Sequence, residues 1–420
     1  MDTGKSLFRK VEKTIEAIER SPDASSTIAQ TASAIVENFK DELGITGGRL
    51  WQARDGGFEL IRTFGANEVV TPGVFVSRAY PGLQRVLDEG VAMVGLEEPG
   101  VDPDFEHSIG VDRFFAAIAV GEDEYVLSFS VNPNAPREDL VASLSILRHA
   151  VDQKLRQEWY EGLLAEARQI QMSILPKRPP RTGEFDIAGF STPAEVVGGD
   201  YFDFIPVSDR ITGLAIADAS GHGLPAALQV RDVFTGLRMG VARDFKITRT
   251  VERLNRIIHQ SRLTTKFVSL FYGELEREGN LIYVNAGHPP PLHLHARCST
   301  LLKQTGLVLG PSSTATYSRG FLSLERGDSL LLYTDGMVEA ADSRGREFGI
   351  ERLKKAFLAL RDRDSQEITK ALLEKVREFT GNIAPTDDRT VVVVRRLEAP
   401  PAGTGAPEPV RSARETPLES

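Results

Sequence analysis

The chain has 420 residues, 41% of them hydrophobic and 26% charged, with a formal net charge of -9 and a single cysteine, Cys298. That length calls for two or three domains, the acidic balance argues against nucleic acid as a partner, and one cysteine excludes an intramolecular disulfide or a thiolate metal site. No apolar run nears the ~18 residues of a membrane span and no apolar signal core opens the chain, so a cytoplasmic protein without a membrane partner is expected.

Apolar periodicity predicts two amphipathic helices between residues 6 and 45. One presents Phe8, Val11, Ile15 and Ile18, the next Ile28, Ala32, Ile35 and Phe39, and Ser21-Pro22-Asp23 separates them. From Gly48 to Val131 short apolar runs alternate with turn residues, as in GRLWQA, FELIRTFG, VAMVG, FFAAIAV and YVLSFSV, which predicts a compact α+β domain. Asp139 to Leu175 is free of proline and spaces Leu140, Leu144, Leu147, Val151, Leu155, Trp159, Leu163, Ala167, Ile170 and Ile174 by threes and fours. This predicts one long helix with a stripe close to that of a coiled coil, read as a homodimer linker, with packing on its own domain as the alternative. Leu175-Pro176 ends it, because proline cannot continue the helical ladder.

Beyond residue 183 strands are predicted at 211–217, 267–276, 281–286, 329–334 and 390–397, with a hairpin through Arg277-Glu278-Gly279-Asn280. Helices are predicted at 224–240, 247–262, 350–360 and 365–380. The segment after Leu397 is rich in Pro, Ala and Glu and is predicted to be disordered.

Acidic residues stand at the mouths of these apolar strands: Asp200 in VVGGDYFDF, Asp218 in ITGLAIADASGHG, Asp335 in SLLLYTDGMVEA, and Asp387 with Asp388 in DDRTVVVVRR. Aspartate before glycine or serine is a common turn residue, but four such sites beside apolar strands can converge into the oxygen-only donor set that Mg²⁺ and Mn²⁺ prefer. Other hydrolytic chemistries lack their motifs. Cys298 in RCSTLLKQTG has no arginine following and is expected to be a buried or partly buried structural residue, Ser220 misses the nucleophile elbow, and no P-loop lysine is present.

In order, GGDYFDF, IADASGHGLPAAL, FVSLFYGEL, YVNAGHPPPL, LLLYTDGMVEA and DDRTVVVVR resemble the motifs of the SpoIIE/RsbU-like branch of the metal-dependent PPM serine/threonine phosphatases, with the lead-in AEARQIQMSILPKRPP. The resemblance implies an αββα sandwich holding two Mn²⁺ or Mg²⁺ ions. It implies that Asp218 bridges both ions with the carbonyl of Ala219 on one of them, that Asp335 and Asp387 are terminal ligands, and that Asp200 holds metal-bound waters. Asp388 takes the place of Asp387 if the register differs by one, and Asp203 caps its strand. His222 is a candidate proton donor to the leaving oxygen, with fixing the loop as the alternative reading. Asn285 and His288 are read as shaping the loop beside the ions, and Arg389 stands where the family has an apolar residue. The implied substrate is a phosphorylated STAS-domain anti-sigma factor antagonist. Noncatalytic scaffolding and hydrolysis of small phosphorylated metabolites are the rival readings.

Residues 20 to 150 resemble a GAF sensor domain, without its cyclic-nucleotide motif. Haem ligation by His107 or His149 is weighed against ordinary exposed or packed histidine. The expected layout is an N-terminal helix at 1–20, a GAF-like α/β sensor at 21–136, a helical linker at 137–176, the phosphatase domain at 177–397 and a tail at 398–420.

Overall fold

In the computed structural model, which describes residues 3–19, 24–180, 182–221, 223–243, 245–261 and 267–398, the chain divides into a unit of residues 1–163 and a unit of residues 164–420. Ser21-Pro22-Asp23, His222 and the tail beyond residue 398 lie outside the described residues.

The first unit contains α1 (Thr3–Glu19), α2 (Ala24–Asn38), β1 (Ile45–Arg54), β2 (Gly57–Gly65), β3 (Phe75–Ser77), α3 (Pro81–Glu89), β4 (Val91–Gly95), α4 (Pro103–Ser108), β5 (Phe114–Val120) and β6 (Tyr125–Val131). Its strands form one antiparallel sheet in the order β3-β2-β1-β6-β5-β4. Period-two alternation lets both faces carry a core. On β5, Ala116, Ile118 and Val120 join Ile28 and Ile35 of α2 and Phe39 just past its end, whereas Phe115, Ala117 and Ala119 join Leu83 and Val86 of α3. The sequence reading missed α3 and α4, whose few turns are too short to show a helical period. His107 and His149 are both exposed.

Helix α5 (Arg137–Ile174) has 38 residues, and its apolar stripe serves different ends along its length. Leu140, Leu144, Leu147 and Val151 are fully buried in the core of the first unit. Trp159, Leu163 and Ile170 are 61%, 43% and 53% exposed. Ile174 packs on a core of the second unit. Half of the stripe read as a dimer seam is thus spent within the chain's own domain, which is why the spacing departs from a strict heptad.

The second unit contains β7 (Phe185–Thr192), β8 (Asp200–Ser208), β9 (Ile211–Ala219), α6 (Leu224–Ala242), α7 (Ile247–Gln260), β10 (Val268–Glu276), β11 (Asn280–Ala286), β12 (Leu292–His295), β13 (Cys298–Leu301), β14 (Gly320–Ser323), β15 (Ser329–Tyr333), α8 (Gly349–Ala359), α9 (Ser365–Thr380) and β16 (Arg389–Arg396). Two five-stranded sheets form, in the orders β14-β11-β10-β9-β8 and β13-β12-β15-β16-β7. Phe202, Ile216 and Phe271 of one meet Ile187, Leu332 and Val392 of the other between the sheets. The opposite face of the first sheet packs on α6 and α7 through Val230, Val233 and Leu254, and that of the second on α8 and α9 through Phe357 and Leu372. The result is four layers, helices outside and sheets inside, each layer buried by the alternation of its strands. Cys298 is exposed rather than buried, because β13 is a short edge strand with every residue open to solvent.

Candidate active site

Strand periodicity decides which acids meet. On β8, residues 200, 202 and 204 point between the sheets and residues 201, 203 and 205 point at α6. Asp200 therefore stands at the end of the inter-sheet space, directly opposite Asp218 across the β8/β9 ladder. Asp203, three residues on, faces the helix layer. There it accepts three charge-assisted hydrogen bonds from Arg238 of α6, at 2.8 and 3.1 Å on Oδ2 and 3.2 Å on Oδ1, together with the Tyr201 hydroxyl at 2.9 Å and the Phe204 N–H at 2.8 Å. These contacts hold Asp203 away from the other acids.

The second sheet delivers its part to the same end. Thr334 follows β15 with the inward parity of Leu330 and Leu332, and its hydroxyl donates to Asp200 Oδ2 at 2.8 Å while accepting the Thr390 N–H at 3.0 Å. Asp335 opens a 3₁₀ turn, Asp335–Met337, and accepts the Gly336 N–H at 2.9 Å. A Cβ on Gly336 would lie 2.0 Å from the Asp388 carbonyl oxygen, so only glycine lets that turn close on the strand end. Asp388 is buried and spends both carboxylate oxygens on backbone, accepting from Ala194 N at 2.7 Å, Gly199 N at 2.5 Å and Asp200 N at 3.2 Å. Asp387 is exposed beside it and accepts the Asp388 N–H at 2.8 Å. Of the two neighbours, Asp388 pins the loop that precedes β8 and Asp387 stands at the surface.

The charges are of one sign. Burial first, then Asp335, Asp387, Asp388 and Glu339 push Asp218 up to about 8. Burial and the charges of Asp218 and Asp388 raise Asp200 well above the carboxylate range, partly offset by Thr390 and Thr334. Burial and Glu339 raise Asp335. Glu339 escaped the sequence reading, although it lies one turn beyond Asp335 and its N–H donates to the Asp335 carbonyl at 2.8 Å. Among the described residues no basic side chain is hydrogen-bonded to Asp200, Asp218, Asp335 or Asp388. Nor do three or more His, Cys, Asp or Glu side chains gather there into a closed metal cage.

Behind Asp218, Ser269 occupies the facing position on β10, and its hydroxyl lies 2.8 Å from Nδ1 of His288. His288 is wholly buried, which drives its imidazole down to about 3 and keeps it neutral. Asn285 Oδ1 accepts the His288 N–H at 2.9 Å and shapes that turn. Ala219 closes β9, its N–H bonded to the Gly199 carbonyl at 2.9 Å. Arg389 has the outward parity of Val391 and Val393, toward the α8/α9 layer.

Residues 208–397 match the family model of Stage II sporulation protein E (SpoIIE). The phosphoserine phosphatase RsbU of Bacillus subtilis is 29% identical over 238 residues, covering 55% of this chain and 69% of that protein. Protein IcfG of Synechocystis is 26% identical over 317 residues, covering 67% of this chain and 49% of that protein. The solved SiaA-PP2C domain of Pseudomonas aeruginosa matches the fold with a TM-score of 0.51 at 21% identity, over 57% of this chain and 98% of that domain.

Proposed function

With residues 208–397 matching the SpoIIE family model, we propose that this chain is a PP2C-type phosphatase that uses two divalent ions, Mn²⁺ or Mg²⁺, to hydrolyse phosphoserine or phosphothreonine on a partner protein. By class the enzyme is a protein serine/threonine phosphatase. The observation that carries the reading is Asp200 facing Asp218 across the β8/β9 ladder, with the like charges of Asp335, Asp387, Asp388 and Glu339 all acting on Asp218. Such a set of oxygen donors fits hard divalent cations and is costly to keep ionised without them. Ions bound there would supply a water of lowered proton affinity and neutralise charge on the phosphoryl group.

In this reading Asp218, Asp335 and Asp387 hold the ions together with the Ala219 carbonyl, and Asp200, braced by Thr334, orients water beside them. Asp388 keeps the loop before Asp200 in place. His288 stays neutral and closed from solvent, so it supports Ser269 and delivers no proton. His222 remains the candidate proton donor and lies outside the described residues.

The partner is a phosphorylated STAS-domain anti-sigma factor antagonist in a partner-switching pathway, and the setting is the cytoplasm. No described helix is long and apolar enough to cross a membrane. The first unit is the sensor, GAF-like in order of elements. Neither His107 nor His149 lines its small cleft, which is walled by Trp51, Tyr80, Phe105 and Phe115 with Glu106 at one side. The exposed stretch of α5 pairs two copies. Comparing kcat/KM for a phosphoserine STAS protein and for a small phosphate ester tests the substrate: the reading expects the phosphoprotein to be preferred at least ~100-fold, and equal values would assign the site to metabolites.

A further inference from the structure

Helix α5 ends beside the acids, and one of its side chains touches the loop that carries them. Gln171 is 9% exposed, and its carboxamide pairs with the backbone of Gly198 in both directions. Nε2 donates to the Gly198 carbonyl at 2.5 Å, and the Gly198 N–H donates to Oε1 at 3.0 Å. The glutamine thus takes the place of a neighbouring strand's peptide, satisfying both polar groups of a buried residue at once.

A Cβ on Gly198 would lie 2.3 Å from Asp388 Oδ2, so a side chain there would displace the carboxylate that grips the loop, and the residue is held through its backbone. The next residue is equally confined, since a Cβ on Gly199 would lie 2.7 Å from the Ala219 carbonyl oxygen. Gly199 donates its N–H to Asp388 and accepts the Ala219 N–H, and Asp200 follows it into β8. Two clamps therefore grip this segment, the Asp388 carboxylate at Gly199 and Asp200, and the Gln171 carboxamide at Gly198.

We propose that Gln171 is a positioning residue of the metal site: its carboxamide sets the Gly198 peptide and, through Gly199, the placement of Asp200 and of the Ala219 carbonyl. This rests on the metal-dependent reading above. Residues that orient ligands from behind typically govern metal affinity by about 10- to 100-fold. Both bonds depend on where α5 places one side chain, so a small rotation of the helix end would break them together.

The test uses the full chain and reads Mn²⁺ binding by electron paramagnetic resonance, the thermal midpoint of the protein in chelator, and phosphate release as Mn²⁺ is raised. Gln171→Glu keeps the size and one acceptor but sets an oxygen against the Gly198 carbonyl, and Gln171→Ala removes both bonds. In both variants Mn²⁺ binding is expected to weaken at least ~10-fold, with turnover recovering at higher Mn²⁺ and KM for the phosphoprotein unchanged at saturation. Should both variants bind Mn²⁺ as the wild type does, with activity falling only in step with folded protein, Gln171 would be a packing residue and the proposal overturned. If the wild type binds Mn²⁺ yet releases no phosphate, the substrate reading fails while the positioning role stands on the binding data. A wild type that binds no Mn²⁺ removes both.

Discussion

At the scale of single residues, the account turns on carboxylates that cannot all ionise together without a cation. In the metal-free protein Asp218 is pushed up to about 8, by burial and then by its acidic neighbours. An incoming divalent ion must displace that proton, so Mn²⁺ affinity is expected to fall as the pH drops below about 8 and to level off above it. Folding has the matching sign. A raised carboxyl contributes stability fully below its unfolded value, and that contribution is lost as the pH rises through about 8. Chelated wild type should therefore lose more stability between about pH 6 and pH 9 than Asp218→Asn, a difference readable by calorimetry. Equal slopes would show that Asp218 is not the strained group. Thr334→Val is nearly isosteric but leaves the Thr390 N–H without its hydroxyl acceptor, so a cost of about 1–3 kcal/mol is expected in urea unfolding. The acids were legible in the sequence because each stands at one end of an apolar run, and period-two counting from Asp200 puts Asp203 on the other face. Gln171 and Thr334 were not, since their partners are a backbone peptide and a residue on the other sheet, which no local pattern records.

At the scale of elements, Asp203 and Arg238 tie β8 to α6. Asp203 is 1% exposed, so Arg238→Ala leaves a buried carboxylate with only the Tyr201 hydroxyl and the Phe204 N–H. A loss on the order of 2 kcal/mol is expected, tempered because the arginine itself is 44% exposed. Mn²⁺ affinity should hardly change, because the pair faces the helix layer. A variant that lost metal binding at full stability would place Asp203 in the metal site after all. Most long elements of the second unit were legible from their period: the helices read at 224–240 and 365–380 stand at Leu224–Ala242 and Ser365–Thr380. The short β12, β13 and β14 were not, because four residues carry too few alternations to mark a strand. Helix α5 was legible as a helix while its tasks were not. Leucine against a sheet and leucine left at the surface have the same spacing, and burial alone separates Leu144 from Leu163.

At the scale of the whole molecule, the proposed dimer uses the exposed part of α5. Leu163→Asp and Ile170→Asp put charge at the 43% and 53% exposed side chains of that surface, and both should shift the wild-type dimer toward monomer in sedimentation velocity. A wild type that sediments as a monomer at all concentrations would contradict the pairing. The central claim is hydrolysis of a phosphoprotein at the acids of the second unit. The most direct measurement is phosphate release from a phosphoserine STAS protein with Mn²⁺, with chelator, and with Asp218→Asn at saturating Mn²⁺. The account predicts release that needs the metal and falls at least ~100-fold in the variant while its fold is kept. Release that persists in chelator, or that Asp218→Asn leaves intact, would contradict it.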